Sequence, residues 1–344
     1  RSHNAPATPF AAPLTRGQAS LPALALNPGR RIMATLTSRI SQALPKSRAQ
    51  KREARLGLTM LAPWLVGLLF LWILPMGISL YFSFTNYDPV KADQIKFIGF
   101  DNFVRIFTDD VAIWSGFVTF RFMFIYVPFS VIMPLLIALM ITNKTLPARG
   151  VFRFLFYLPS IIPGIAATLI FLRVFNVQTG WVNRLLGGIG IEGPSWFWDA
   201  NWVTITLVIL EFWFIGAGMI QYIAALQNVP LEMYEAAKVD GAGPFRRFFQ
   251  ITLPLISSVI FYRLVFALIF AMQYFGNAML VGGLSGNPDR NTLFYNVYLY
   301  RAGWTLNEMG YASALAWFLF VLAGAVTIGL FASQKKWVFY ATGD

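Results

Sequence analysis

Glu-Ala-Ala-Lys-Val-Asp-Gly at residues 235–241, followed by Ile-Thr-Leu-Pro at residues 251–254, is the stretch around which this chain is organised. The stretch is polar, and long apolar runs lie on both sides of it. Pro230 precedes it and suits the first turn of a helix, so we predict a short helix over residues 231–239. Gly241 is expected to end this helix, because glycine readily adopts the left-handed conformation that follows a helix.

The composition is that of a membrane protein. The 344 residues are 57% hydrophobic and 12% charged, and the mean hydropathy is +0.60. A soluble domain carries about 25% charged residues. The chain has no cysteine, which excludes disulfides and thiolate metal sites. Its one histidine is His3, and it has no Gly-x-x-x-x-Gly-Lys-Ser/Thr loop, so we expect no catalytic residue, no metal site and no ATP site.

Six apolar runs are long enough to cross a bilayer, which takes about 20 helical residues. Their approximate ranges are 58–83, 114–142, 151–175, 201–227, 255–283 and 310–333. None of them alternates between apolar and polar residues as barrel strands do. The sequence therefore predicts an all-α membrane protein with six transmembrane helices.

The basic residues predict the orientation of these helices. Counted from residue 33, fourteen Lys and Arg residues fall on one side of the membrane and six on the other. The side with more basic residues is normally the cytoplasm. This places both termini and the segment 231–251 in the cytoplasm.

The spacing of the opening stretch resembles the EAA loop of permease subunits of binding-protein-dependent ABC importers. The resemblance implies the type I importer permease fold, with residues 231–239 as a coupling helix that docks into an ATPase subunit. An ordinary cytoplasmic helix without a partner is the alternative. The residues to which the resemblance assigns coupling are Glu235, Ala236, Ala237, Asp240, Gly241, Ala242, Leu253 and Pro254.

The residues beside this loop, 225–230 and 240–242, resemble the sugar-permease branch of the maltose and sn-glycerol-3-phosphate type. This implies four kinds of partner: a second homologous permease, a dimer of ATP-binding-cassette ATPases, an extracytoplasmic solute-binding protein and membrane lipid. ATP and Mg²⁺ would be bound by the ATPase alone. The implied location is a bacterial or archaeal cell membrane, and the basic net charge is attributed to membrane orientation instead of nucleic-acid binding.

Polar and aromatic side chains within the predicted helices are candidates for the substrate pathway. Aromatic rings could stack on sugar rings, and amides could bind hydroxyl groups. Gln273 and Asn277 are four residues apart and are expected to share a helix face. Glu211 could pair with Arg121 or Arg263, or it could face a cavity, because an isolated charge in the bilayer is costly. The pathway candidates are Glu211, Trp213, Phe214, Gln221, Gln273, Tyr274 and Asn277.

The remaining segments are expected to be tails. Residues 1–57 are interpreted as a disordered or basic juxtamembrane segment, of which 1–32 need not be native. Residues 33–57 either lie on anionic headgroups or form a solvated tail. The transmembrane domain is predicted over 58–333 and a cytoplasmic tail over 334–344.

Three other functions are alternatives to a sugar permease. The permease could import glycerol phosphate or a polyol instead of a sugar. A stand-alone secondary transporter would need coupling carboxylates in the membrane or an inverted repeat, and Glu211 is the one intramembrane carboxylate. An intramembrane enzyme would need reactive groups that these runs lack.

Overall fold

The computed structural model describes residues 48–143 and 145–339. The predicted tail 1–32, most of the basic segment 33–57 and the end of the tail 334–344 lie outside these residues. The chain divides into two compact units at Ile73. The first unit contains the helix α1 (Arg48–Leu68) and a π-helical segment, Leu69–Ile73.

The second unit, from Leu74 onward, contains the remaining helices in the described part. They are α2 (Leu74–Ser83), α3 (Asp101–Ile106), α4 (Asp110–Thr142), α5 (Arg149–Tyr157), α6 (Gly164–Val174), α7 (Trp181–Gly188), α8 (Val203–Phe212), α9 (Ile215–Gln227), α10 (Leu231–Val239), α11 (Pro244–Arg247), α12 (Leu253–Leu255), α13 (Ser257–Met272), α14 (Gly276–Gly282), α15 (Tyr295–Trp304) and α16 (Met309–Gln334). No strand occurs in the described residues, apart from one isolated bridge between Thr85 and Phe97. The prediction of an all-α protein is confirmed.

All six predicted apolar runs coincide with helices. Four helical stretches are long and apolar enough to cross a membrane: Lys51–Ser83, Asp110–Thr142, Ser257–Gly282 and Met309–Gln334. Two further spans are bent pairs, in which Arg149–Ile161 meets Gly164–Val174 at 100° and Val203–Phe212 meets Ile215–Gln227 at 52°. The first stretch is already helical at Arg48, although the hydropathy predicted its start near residue 58.

Proline explains the sharper bend. Pro159 opens a short 3-10 helix after α5, and Pro163 directly precedes α6. Proline has no backbone N–H, and it disfavours helical geometry in the residue before it. Ile162 accordingly has an extended backbone, with φ −75° and ψ 131°. The direction of the chain therefore changes between α5 and α6.

The helices of the second unit pack around two apolar clusters. The larger one joins α4 and α8 to the helices from α13 to α16, and it includes Phe122, Leu207 and Leu315. The smaller one lies where the C-terminal half of α4 packs on α9, and it includes Met219 and Tyr222. Many other apolar side chains are exposed, as expected for helices that face lipid.

Candidate functional site

Three helix breaks meet at one polar cluster. The breaks precede α6, α9 and α14. Thr168 on α6 donates its hydroxyl to the Asn277 Oδ1 on α14, at 3.0 Å. The Asn277 Nδ2 in turn donates to the Glu211 Oε1 at the end of α8, at 2.8 Å. Side chains from three separate runs are therefore connected at the points where their helices are interrupted.

Glu211 receives a second hydrogen bond at the same oxygen. The Tyr274 hydroxyl donates to the Glu211 Oε1 at 2.9 Å, and Tyr274 itself is buried. Both of these donors are neutral. The salt bridge found among the described residues is Arg105–Glu308, so the expected pairing of Glu211 with an arginine is wrong. Tyrosine and asparagine donors satisfy this carboxylate instead.

The two intramembrane arginines bind neutral oxygens. The Arg121 Nη2 donates to the Thr204 Oγ1 at 2.7 Å, and the Arg263 Nη2 donates to the Ser130 backbone oxygen at 2.8 Å. The Arg263 guanidinium lies against Gly218, where an added Cβ would come within 2.7 Å of it. A glycine at this position leaves the room that the guanidinium occupies.

A cavity of about 290 Å³ adjoins the polar cluster. Glu211 and Asn277 line one part of it and Arg263 another. Its wall also includes Phe214, one of the predicted pathway aromatics, and Gly164 at the start of α6. A carboxylate, an amide and a guanidinium among aromatic rings can bind a polar, uncharged molecule with several hydroxyl groups.

Not every pathway candidate reaches this cavity. Trp213 packs edge-on against Phe171 at 5.4 Å, within the larger apolar cluster. Gln221 is partly buried, and its side-chain oxygen Oε1 has no hydrogen-bond partner among the described residues. Neither Trp213 nor Gln221 lines the cavity.

Gln273 and Asn277 do not share a helix face, and that prediction is wrong. Helix α13 ends at Met272 and α14 begins at Gly276, so the residues between them are not helical. Gln273 is exposed, whereas Asn277 points to the cavity. Thr168 was not predicted as a member of the cluster. The signal that could have identified it is its position four residues after Gly164, in the first turns after Pro163.

The stretch from Leu231 to Ala242 has the predicted local structure. Helix α10 spans Leu231–Val239, and Gly241 has φ +73°. The Gly241 N–H donates to the Lys238 oxygen at 3.0 Å, and the Ala242 N–H donates to the Ala237 oxygen at 2.9 Å. These two bonds satisfy carbonyls at the helix end, so the left-handed glycine terminates the helix as predicted.

One side chain connects α10 to the rest of the protein. The Tyr234 hydroxyl and the Thr252 Oγ1 are 2.7 Å apart, and Tyr234 packs beside the smaller apolar cluster. Ala237 lies three residues further on the same side and is half-buried. Glu235, Ala236 and Asp240 are exposed.

The exposed surface of this loop combines charged side chains with large apolar ones. Val239 is 88% exposed, Phe245 80% and Phe249 60%. Glu235 lies on the same side of α10 as Val239, four residues earlier. We call the surface formed by Glu235, Val239, Phe245 and Phe249 the loop patch. Exposed apolar side chains grouped in this way are typical of a protein–protein interface.

Leu253 and Pro254 lie on the inner side of the loop. Both are half-buried, and they follow a π-helical segment, Phe248–Thr252. A proline ring clashes with the carbonyl four residues before it, here that of Gln250, which is inside this segment. The widened turn accommodates Pro254 without a break in the chain.

A second polar cluster lies at the opposite ends of the helices. Asp109 caps α4 through the Val111 N–H at 2.9 Å, and its other oxygen accepts hydrogen bonds from the hydroxyls of Tyr298 and Tyr311. Burial by itself raises the pKa of Asp109, but the tyrosine and backbone hydrogen bonds outweigh burial and hold that pKa below its ordinary value. Burial and the neighbouring Asp109 carboxylate raise the pKa of Tyr298.

Comparisons with known proteins identify the family. Residues 115–338, more than half of the chain, match the model of the binding-protein-dependent transport system inner membrane component. The probable ABC transporter permease protein YesP of Bacillus subtilis (strain 168) is 37% identical over 90% of this chain and 100% of its own length. The sulfoquinovosyl glycerol transport system permease protein SmoG of Agrobacterium fabrum is 33% identical over 79% of this chain and 88% of its own length.

A solved structure has the same fold. It is a bacterial ABC transporter involved in the import of the acidic polysaccharide alginate, and one of its chains aligns with a TM-score of 0.74 and 26% identity. The alignment covers 84% of this chain and 99% of that one. The resemblance that the loop spacing suggested is therefore confirmed at the level of family and fold. This chain is a member of the binding-protein-dependent transport system inner membrane component family, the membrane-embedded permeases of such systems.

Proposed function

We propose that the chain is the transmembrane permease subunit of an ATP-driven ABC importer that moves a sugar inward. Several relatives at about 30% identity are named as sugar permeases, among them the lactose permease LacF of Rhizobium radiobacter and the arabinooligosaccharide permease AraP of Bacillus subtilis. The substrate would be an oligosaccharide or a related carbohydrate.

The observation that carries this proposal is the loop patch. An isolated helix of nine residues is unstable in water, so α10 needs tertiary contacts. Tyr234 provides one through Thr252, and the Gly241 turn caps the helix locally, while the opposite side of the helix remains exposed. A fixed helix with a free outer surface can transmit a movement of a docked protein to the membrane helices. The ATPase subunit is the partner that this arrangement suits.

In the proposed function, the loop residues have separate roles. Glu235 would meet a basic group of the ATPase, and the small side chain of Ala236 would let the two proteins approach closely. Ala237 and Ala242 would keep the helix end compact. Exposed Asp240 would face the ATPase beside Glu235, and half-buried Leu253 and Pro254 would hold the loop against the membrane helices.

The proposed pathway for sugar passes the cavity beside Glu211. Asn277 and Glu211 would bind sugar hydroxyls, and Phe214 would stack on a sugar ring. Tyr274 would act indirectly, since its hydroxyl orients Glu211. We assign no contact with sugar to Trp213, Gln221 or Gln273.

The other components of the transporter are also proposals. A second permease would complete the pathway, and a solute-binding protein would deliver the sugar from outside. ATP and Mg²⁺ would be bound by the ATPase dimer, and this chain would hold no cofactor. Both termini would face the cytoplasm, in agreement with the excess of basic residues on that side.

Co-purification with the ATPase tests the role of the loop patch. Glu235→Lys should weaken ATPase binding and uptake while the amount of permease in the membrane stays normal, because the apolar spans are unchanged. Glu192→Lys is the matched control, since Glu192 is exposed on a different loop. Equal ATPase binding and uptake by both variants would contradict the proposal.

Uptake measurements with a panel of solutes test the substrate. The panel should contain oligosaccharides, a polyol and glycerol phosphate, with the complete transporter in vesicles. Glu211→Gln keeps the shape of the side chain and should change the order of preference among these solutes. Preference for glycerol phosphate over every sugar would support the alternative substrate, for which Arg263 offers a cation in the same cavity.

A further inference from the structure

A second cavity, of about 400 Å³, lies behind the coupling helix. It is an open groove lined by the C-terminal ends of α4 and α9, by α10, by α11 and by the π-helical segment. None of its lining residues lines the cavity beside Glu211. Its size is within the range of small-molecule sites, which is roughly 300–1,000 Å³.

Arg247 is the charged residue that lines this cavity. Its Nε is buried and has no hydrogen-bond partner, and Arg247 takes part in no salt bridge among the described residues. The polar side chains around it are Thr142, Gln227, Tyr234 and Thr252. Among the described residues, no carboxylate lines the cavity and none pairs with this guanidinium.

The adjacent arginine shows the contrast. Arg246 is exposed, and its Nε donates to the Gln250 Oε1 at 3.0 Å. A guanidinium that is partly removed from water without an acceptor is unfavourable. The lining of the second cavity therefore favours an anion that can accept hydrogen bonds from both arginine and hydroxyl groups.

The position of the cavity indicates which anion this is. Thr142 is the last residue of the span Asp110–Thr142, and Gln227 is the last residue of the span Ile215–Gln227. The ends of spans lie in the headgroup region of a bilayer, where lipid phosphates are found. The planar guanidinium binds phosphate through two parallel hydrogen bonds.

We propose that this cavity binds a phosphate group, with Arg247 as its anchor. The phosphate belongs either to the headgroup of an anionic phospholipid or to a free phosphate-bearing molecule. In both cases it connects the ends of α4 and α9 to α11, directly behind the coupling helix. Occupancy then stabilises the loop that carries the loop patch.

Thermal unfolding of the full-length permease in dodecyl maltoside micelles, which contain no phosphate, tests this proposal. One preparation contains the detergent alone, and a second contains the detergent with phosphatidylglycerol. A third is the detergent with inorganic phosphate added at millimolar concentration. A ligand that binds the folded state raises the midpoint of unfolding in proportion to its affinity. The variants are Arg247→Gln and Arg247→Lys, and Arg246→Gln is the matched control.

We expect phosphatidylglycerol or inorganic phosphate to raise the midpoint for the wild type and for Arg246→Gln. Arg247→Gln should need a roughly tenfold or greater concentration for the same rise, because hydrogen bonds to a charged group are lost. Arg247→Lys keeps the positive charge but not the paired N–H donors of the guanidinium. The ligand concentration that it needs should lie between those of the wild type and Arg247→Gln. The midpoint in detergent alone shows whether each variant is folded.

Each source of phosphate gives a distinct result. A rise with phosphatidylglycerol alone identifies a lipid headgroup, and a rise with inorganic phosphate identifies a free ligand. No rise in any preparation, or an equal rise in all variants, would overturn the proposal. It would also be overturned if Arg247→Gln abolished ATPase binding and left both phosphate responses unchanged, because Arg247 would then meet an acidic side chain of the ATPase.

Discussion

Replacing Gly241 by alanine should loosen the end of α10 without disturbing anything else. Gly241 has φ +73°, and a Cβ added there would meet no atom within 4 Å. The substitution therefore introduces no steric overlap with the rest of the protein. The destabilisation therefore comes entirely from holding an alanine in the left-handed conformation, which costs roughly 1–2 kcal/mol.

That cost acts on a local equilibrium. The native turn is held by the hydrogen bonds that Gly241 and Ala242 donate to the last turn of α10. A loss of about 1–2 kcal/mol lowers the ratio of the closed turn to the open one by a factor of about 5–30. Gly241→Asn should cost less, because asparagine tolerates the left-handed region better than alanine.

Hydrogen exchange over residues 231–243 measures this effect directly. Exchange at the end of α10 should accelerate 5–30-fold in Gly241→Ala and less in Gly241→Asn, with ATPase binding reduced in the same order. Gly243→Ala is the control, since Gly243 has φ −69° and equally open surroundings. Equal exchange in Gly241→Ala and Gly243→Ala would refute the reasoning from backbone strain.

Three further predictions concern packing, pH and the anchor of the coupling helix. Gly216→Ala would place a Cβ 2.3 Å from the Phe156 carbonyl oxygen and should destabilise the protein by about 1–3 kcal/mol. Gly324→Ala, inside α16 with open space around it, should not lower the midpoint of unfolding, because alanine is the better helix former. The pKa of Asp109 is lower in the folded protein than its ordinary value of 3.8, so the ionised carboxylate stabilises the fold fully above pH 3.8. This stabilisation is lost as the pH falls through the pKa of the folded state. Asp109→Asn should therefore remove this part of the acid dependence of thermal unfolding. Tyr234→Phe should lose about 1 kcal/mol of helix anchoring, measured as faster hydrogen exchange in α10, and normal exchange would show that the hydroxyl is not the anchor.

Much of the fold follows from local chemistry that the sequence displays. Long apolar runs have few alternatives to helices in a bilayer, so their number and positions were predictable. The turn at Gly241 was predictable for a similar reason, because glycine adopts the left-handed conformation more readily than any other residue. The cytoplasmic side of the loop stays a prediction, since it depends on the distribution of basic residues.

The candidate site was less predictable because it depends on breaks between helices. Pro163 indicates that the third span is interrupted, but the angle of 100° depends on the packing of α5 against α9. No proline marks the break at residues 273–275, and the apolar pattern continues through it. Gln273 was therefore assigned to the face of Asn277. The partners of Glu211 come from other spans, and the sequence alone does not show which donors meet it.

The interrupted helices also determine how the site can move. A continuous helix in lipid must rupture backbone hydrogen bonds before it bends, whereas α6, α9 and α14 already begin at breaks. Each of them can therefore rotate about its first residues. The three side-chain hydrogen bonds of the Glu211 cluster, at about 1–3 kcal/mol each, oppose this rotation in α6 and α14, and packing against α4 opposes it in α9. We expect such rotation on the microsecond to millisecond timescale of hinge motions, without unwinding of any helix.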